Sequence, residues 1–182
     1  MTSLDGPWQF RRAGAAAWKT VSVPSPFEAH EGPGFDGAGE YAREVRLPRT
    51  PPGRRLLLQF DAAATETTVF WDGREAGRHL GGWTPFRIDL TALGAEAIAP
   101  GPHQLRVLVD EKVGHNTQGF LPVTAPHFGG LWQSVRLLSA PDPCLDDLKL
   151  LVWGDPETGI ARIFAPLLGE GPVRAEAVKI QW

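Results

Sequence analysis

The side chains here that could do chemistry are five histidines, one asparagine, one cysteine and a scatter of carboxylates. His30, His79, His103, His115 and His127 include no pair at zinc-ligand spacing on a helix, and Cys144 stands alone. Neither a metal centre nor a disulfide is expected, and nothing calls for a cofactor. Asp61, Asp72, Asp89 and Asp110 fall at the ends of extended segments or in turns, where aspartate usually satisfies backbone donors, so a structural role is expected for each. What remains suits holding a ligand better than breaking a bond. The aperiodic stretch 111–128 carries His115, Asn116 and Phe120, and the glycine-rich stretch 27–39 carries Phe35. Flat rings and hydrogen-bonding side chains on long surface loops are the usual material of a binding site.

Such loops need a scaffold, and the rest of the chain reads as antiparallel β structure. Asp72-Gly73 separates two extended segments and favours a two-residue hairpin turn with positive φ at both positions, so residues 67–71 are predicted to pair with 74–80. Gly81-Gly82 breaks the second segment. Phe86, Ile88 and Leu90 then alternate with Arg87 and Asp89, as in a strand with one buried face. Leu56, Leu58 and Phe60 alternate with Leu57 and Gln59, and apolar residues on both sides mark a central strand. Leu105, Val107 and Val109 predict another core strand, and 8–12, 19–23, 41–47 and 132–138 are further candidates. Thr91 is the expected cap of a helical turn over 91–98. Trp8, Trp71 and Trp132 are expected in the core, and Trp83, just after a strand break, on the sandwich edge.

Composition sets the limits. With 42% apolar residues, 21% charged residues and a formal net charge of -3, the chain reads as an ordinary globular protein, and nucleic acid is not an expected partner. No apolar run approaches the roughly 20 residues that span a bilayer, and the start lacks a basic and apolar leader, so no membrane partner and a cytoplasmic location are expected. The 17 prolines and 21 glycines punctuate short segments at even intervals, which suits an all-β sandwich. At Pro141–Pro143 the composition shifts, dividing the chain into 1–140 and 141–182. Strands are expected near 148–152, 160–165 and 173–182. A second sandwich needs about seven strands over roughly 100 residues, so this part reads as incomplete and the chain as cut partway through a domain.

Four stretches carry a resemblance. They are Leu4-Asp5-Gly6-Pro7-Trp8-Gln9-Phe10, Glu40-Tyr41-Ala42-Arg43 running to Leu47-Pro48, Gly81-Gly82-Trp83-Thr84-Pro85-Phe86 with Asp89-Leu90-Thr91, and Gly129-Gly130-Leu131-Trp132. In order and spacing they resemble the N-terminal sugar-binding domain of glycoside hydrolase family 2, which includes β-galactosidases, β-glucuronidases and β-mannosidases. The resemblance implies a jelly-roll β-sandwich of the galactose-binding type over residues 1–140. It implies that 141–182 are the opening strands of an immunoglobulin-like sandwich, and that a TIM barrel downstream carries two catalytic glutamates, the first preceded by Asn. Here Asn116 is followed by Thr117, no Asn-Glu pair occurs, and a barrel alone takes about 250 residues. No catalytic residue is therefore expected in this chain.

The implied partners are a carbohydrate and the barrel of a parent enzyme, with a homo-oligomer also allowed. The resemblance makes His115, Asn116 and Phe120 candidates for sugar contact and adds Thr124 and His127. Thr124 stands near the place where β-galactosidases and β-glucuronidases carry a sugar-reaching carboxylate, so their specificities do not transfer to this sequence by residue. Three functions follow: a non-catalytic, pocket-shaping part of a family 2 β-glycosidase, a free-standing lectin-like module, or a scaffold that never touches sugar. An incomplete second sandwich favours the first and third.

Overall fold

The computed structural model describes residues 1–112 and 128–169. The strands are β1 (Thr2–Ser3), β2 (Gly6–Arg12), β3 (Lys19–Val23), β4 (Ala38–Leu47), β5 (Arg54–Phe60), β6 (Glu66–Trp71), β7 (Arg74–Leu80), β8 (Phe86–Asp89), β9 (Gly101–Asp110) and β10 (Val135–Pro141). One helical turn, α1 (Glu28–Glu31), lies between β3 and β4. A six-stranded sheet of order β3-β2-β4-β9-β6-β7 faces a four-stranded sheet of order β1-β10-β5-β8, with antiparallel pairing throughout. This is the expected all-β jelly-roll sandwich.

The period-two pattern of the sequence is what closes it. Trp8 and Phe10 of β2, Tyr41 and Val45 of β4, Val69 and Trp71 of β6, and Leu105, Val107 and Val109 of β9 point inward from the large sheet. Leu56, Leu58 and Phe60, Phe86 and Ile88, and Val135 and Leu137 meet them from the small one. Each large apolar side chain so buried contributes roughly 1.5–3 kcal/mol before entropy is counted. The two core indoles also find acceptors, Trp8 on the Leu4 carbonyl at 2.8 Å and Trp71 on the Ala97 carbonyl at 2.9 Å. β5 is the central strand its composition predicts, flanked by β10 and β8 and with Leu57 buried on the outer face.

The hairpin between β6 and β7 turns at Asp72 (φ 50°) and Gly73 (φ 78°). Asp72 also locks the turn to β9, accepting from the Gln104 amide at 2.8 Å and pairing with His103 Nδ1 at 2.6 Å. The other ring nitrogen of His103 faces the Ala99 carbonyl at 2.8 Å. Burial works against charge on His103, but these two acceptors outweigh it and hold its pKa above the usual value. Space beside Gly73 is open, so Gly73→Val meets no clash and costs only the strain of a β-branched residue at positive φ, about 1–3 kcal/mol. A urea midpoint equal to that of the unsubstituted protein would refute this.

Four local expectations are corrected. Thr91 caps no helix: its hydroxyl accepts from the Leu56 amide at 2.9 Å, while Asp89 takes the Ala92 amide at 3.2 Å. The last strand of the small sheet begins at Val135, so Trp132 precedes it and is half-buried rather than core. Residues 147–149 form a 3-10 turn, and the strand there starts at Leu151. Residues 27–39 are not wholly a surface loop, because Phe27 is fully buried and leads into α1.

Beyond β10 come β11 (Cys144–Leu145), β12 (Leu151–Asp155), β13 (Ile160–Phe164) and β14 (Leu167–Leu168), paired as β11-β14 and β12-β13. The expected strand at 173–182 lies outside the described residues.

Candidate functional site

The ends of β4, β9, β6 and β7 converge at one end of the sandwich, and a web of backbone bonds ties the connecting segments there. The Glu111 amide donates to the Gly37 carbonyl (3.1 Å), the Thr65 amide to Asp110 (3.1 Å) and the Gly81 amide to Thr65 (3.0 Å). Ala64 and Gly130 exchange bonds of 3.0 and 2.8 Å, and the Phe27 and Ser25 amides reach Gly129 and Leu131 at 2.9 and 3.0 Å. The segment returning to the sheet is thereby pinned between α1 and β6. His115, Asn116, Phe120, Thr124 and His127, all on the connection that leaves and re-enters here, lie outside the described residues.

Beneath this web is an aromatic cluster. Phe27 stacks on Tyr41 with ring centroids 5.8 Å apart and meets Phe10 at 5.6 Å and Phe35 at 5.2 Å. The Tyr41 hydroxyl accepts from the Leu131 amide at 3.3 Å, and burial drives its pKa well above the ordinary tyrosine value. His30 sets its ring edge against Phe10 at 4.5 Å. Burial lowers its pKa, more than the Glu31 carboxylate 3.6 Å from its Nδ1 raises it. Glu31 is nearly buried and takes Arg12 at 2.5 Å together with Lys19, and these partners outweigh burial to hold its carboxyl below the usual range.

Two features at this end face solvent. An open cleft of about 480 Å³ is lined by Arg12, Glu31, Gly32, Pro33, Gly34, Phe35 and Asp36. The Arg12 guanidinium lies 5.0 Å over the Phe35 ring, so the candidate stacking face of Phe35 is already partly covered. The second is an aromatic corner. Trp83 is 50% exposed and stands edge-to-face with Trp132 at 4.8 Å, while the Trp132 indole donates to the Gly82 carbonyl at 2.9 Å. Trp83 thus does pack at the edge of the sandwich, with half of its surface left bare.

Glu111 is the residue that sequence reasoning overlooked. Leu105, Val107 and Val109 fix the inward phase of β9, and position 111 continues it, so an inward carboxylate was legible there. It is 3% exposed, and burial pushes its carboxyl up to about 8, with the charges of Glu28 and Asp36 adding to the rise. Among the described residues no group of three or more histidine, cysteine, aspartate or glutamate side chains is arranged to hold a metal ion.

A family model described as glycosyl hydrolases family 2, sugar binding domain, matches residues 1–141. The chain belongs to glycoside hydrolase family 2. A putative β-glucuronidase of Formosa agariphila is 26% identical over 140 residues, covering 74% of this chain and 16% of its own length. A β-galactosidase of Thermoanaerobacter pseudethanolicus is 28% identical over 116 residues, covering 62% of this chain and 15% of its own. The chain therefore spans under a fifth of the length of these two relatives. Among solved structures, an FMN-binding β-glucuronidase from Facaelibacterium prausnitzii superposes with a TM-score of 0.65 at 29% identity, covering 78% of this chain and 22% of that one. A Faecalibacterium prausnitzii β-glucuronidase reaches 0.68 at 23% identity over 93% of this chain and 36% of that one, a likeness of fold alone.

Proposed function

We propose that this chain is the non-catalytic, sugar-facing N-terminal part of a longer family 2 β-glycosidase, and that the loop end of its sandwich forms one wall of the substrate pocket against a C-terminal barrel. The observation that carries the reading is the match itself: a whole sugar-binding domain in a chain much shorter than its glycosidase relatives. The sequence holds no Asn-Glu pair, so bond cleavage falls to the rest of the protein. Sugar contact belongs to the connection between β9 and β10, through His115, Asn116, Phe120, Thr124 and His127.

Residues 141–182 are the opening of a second, immunoglobulin-like sandwich in this reading. Support comes from Leu151, Val152, Trp153, Ile163 and Phe164, each at least 50% exposed, on a two-stranded ribbon too small to bury them.

A small ligand's affinity depends on enclosure, with pockets burying about 70–90% of its surface, and one wall supplies a minority of that. Titration of the chain with galactose, glucuronic acid, mannose and glucose, followed by backbone amide shifts, is expected to give Kd values no tighter than about 1 mM. Any shifts should centre on residues 113–127 and their anchors. Micromolar binding to a simple sugar would replace this reading with the lectin-like module, and shifts confined to the opposite end of the sandwich would move the site.

A further inference from the structure

We propose that Glu111, shut in against the Glu28 carboxyl, holds a proton at neutral pH and gives it up under alkaline conditions, making the loop end of the sandwich pH-sensitive. The inference does not depend on the proposed function. Glu111 leaves β9 in the inward phase, and Glu28 opens α1 across from it. All four carboxyl oxygens are closed to solvent, and none has a hydrogen-bond donor at bonding geometry. A buried carboxylate with no donor is costly, and two of them facing each other are costlier still. The one strong bond open to the pair runs from one carboxyl group to the other, and it exists only while one of them is protonated.

Among the described residues no neighbouring charge offers another solution. On α1, Glu31 is held by Arg12 and Lys19, and His30 is half-buried, with its pKa lowered. After α1, Asp36 adds repulsion, and the Gly37 amide, which faces Glu111, pulls the other way too weakly to cancel it. On β4, Tyr41 stays neutral, with its hydroxyl on the Leu131 amide. On the Glu111 strand itself, Lys112 sits 3.5 Å from Asp110. The sequence from 113 to 127 contains no lysine or arginine, and its two histidines, His115 and His127, lie outside the described residues. The site is also tight: a Cβ on Gly129 would lie 1.6 Å from Glu111 Oε2 and 2.5 Å from Phe27. Oxygens without accessible surface, in a cluster that offers no three-ligand set among the described residues, suit a proton better than a hydrated cation.

The sign of the effect follows from linkage. A carboxyl whose pKa is raised from 4.5 to about 8 on folding binds more protons folded than unfolded across that window. Its contribution to stability is therefore complete below the lower value, declines as pH rises and is lost above about 8. With both groups ionised, relief comes only by separating α1 from the end of β9, against the Phe27–Gly129 and Glu111–Gly37 backbone bonds.

The test compares urea midpoints of the chain and its Glu111→Gln variant from about pH 5 to about pH 9. All five histidines titrate in both proteins, so the difference between them reports the carboxyl at position 111. The variant is expected to match the unsubstituted protein at the acid end and to exceed it at the alkaline end. Glu28→Gln should move the decline to lower pH by removing one repelling charge. In the infrared, the unsubstituted protein should show the carbonyl band of a neutral carboxylic acid at neutral pH, and Glu111→Gln should lose it. The band decides the question if Glu111→Gln does not fold. A pH-independent difference between the two proteins, no acid band, or stabilisation by an added divalent cation that requires Glu111 would each overturn the proposal.

Discussion

Replacing Arg55 with alanine is expected to destabilise the chain by about 3–5 kcal/mol, the cost of breaking a buried ion cluster from one side. Arg55 is 8% exposed, on the outer face of β5. Nε and Nη2 donate to Asp142 Oδ1 at 3.2 and 2.9 Å, while Nη1 bonds Asp89. Burial opposes its charge, yet the Asp142 and Asp89 bonds prevail and raise its pKa above the ordinary value. Without the cation, two partly buried carboxylates face each other with little water to screen them. Lysine should recover only part of the loss, since one ammonium cannot fork to both partners. The cluster also straps the segment after β10 to the sandwich: a Cβ on Gly169 would lie 2.1 Å from Asp142 Oδ1 and 2.8 Å from Arg55 Nη2. Urea denaturation of Arg55→Ala, Asp142→Asn and the double variant measures the coupling. A loss under about 1 kcal/mol would class the cluster with surface pairs.

That strap was not legible in the sequence, whereas the sheets were. Strand alternation is local, so Leu56, Leu58 and Phe60, or Leu105, Val107 and Val109, announce their faces within a few residues, and Asp72-Gly73 announces its turn by the backbone it demands. Arg55 gave no such sign because its partners lie 34 and 87 positions away. The start of β10 was misjudged for a related reason: Trp132 looks like strand material, but its indole is spent on Gly82, 50 positions back.

At the candidate site the division runs the same way. Phe35 was visible as an aromatic on a long loop, but nothing local said that Arg12 would cover its ring. Nothing local sets Glu28 and Glu31 apart within the glycine-rich stretch 27–39, since a four-residue helical turn leaves no periodic trace. Only the fold brings that turn against the end of β9, where Glu111 arrives already committed inward by the strand period.

Gly130→Ala should cost about 2–4 kcal/mol, because backbone strain and overpacking act together at that position. Gly130 has φ of 87°, where an L side chain is strained. Its Cβ would fall 2.4 Å from the Tyr41 hydroxyl and 2.8 Å from Phe27, both fully buried and stacked on each other, so neither ring can yield cheaply. Displacing Tyr41 would also break its bond from the Leu131 amide and disturb the two bonds between Gly130 and Ala64 that pin the returning segment. Gly14→Ala is the matched control: φ is 80° there, and nothing lies within 4 Å of the added carbon. It should show strain alone, about 1 kcal/mol. The excess at Gly130 is then the cost of the clash, and part of it should return when Tyr41→Phe removes the hydroxyl nearest the new methyl. Equal urea midpoints for the two alanine variants would mean that the loop end relaxes around Gly130 and is not the rigid anchor its geometry implies.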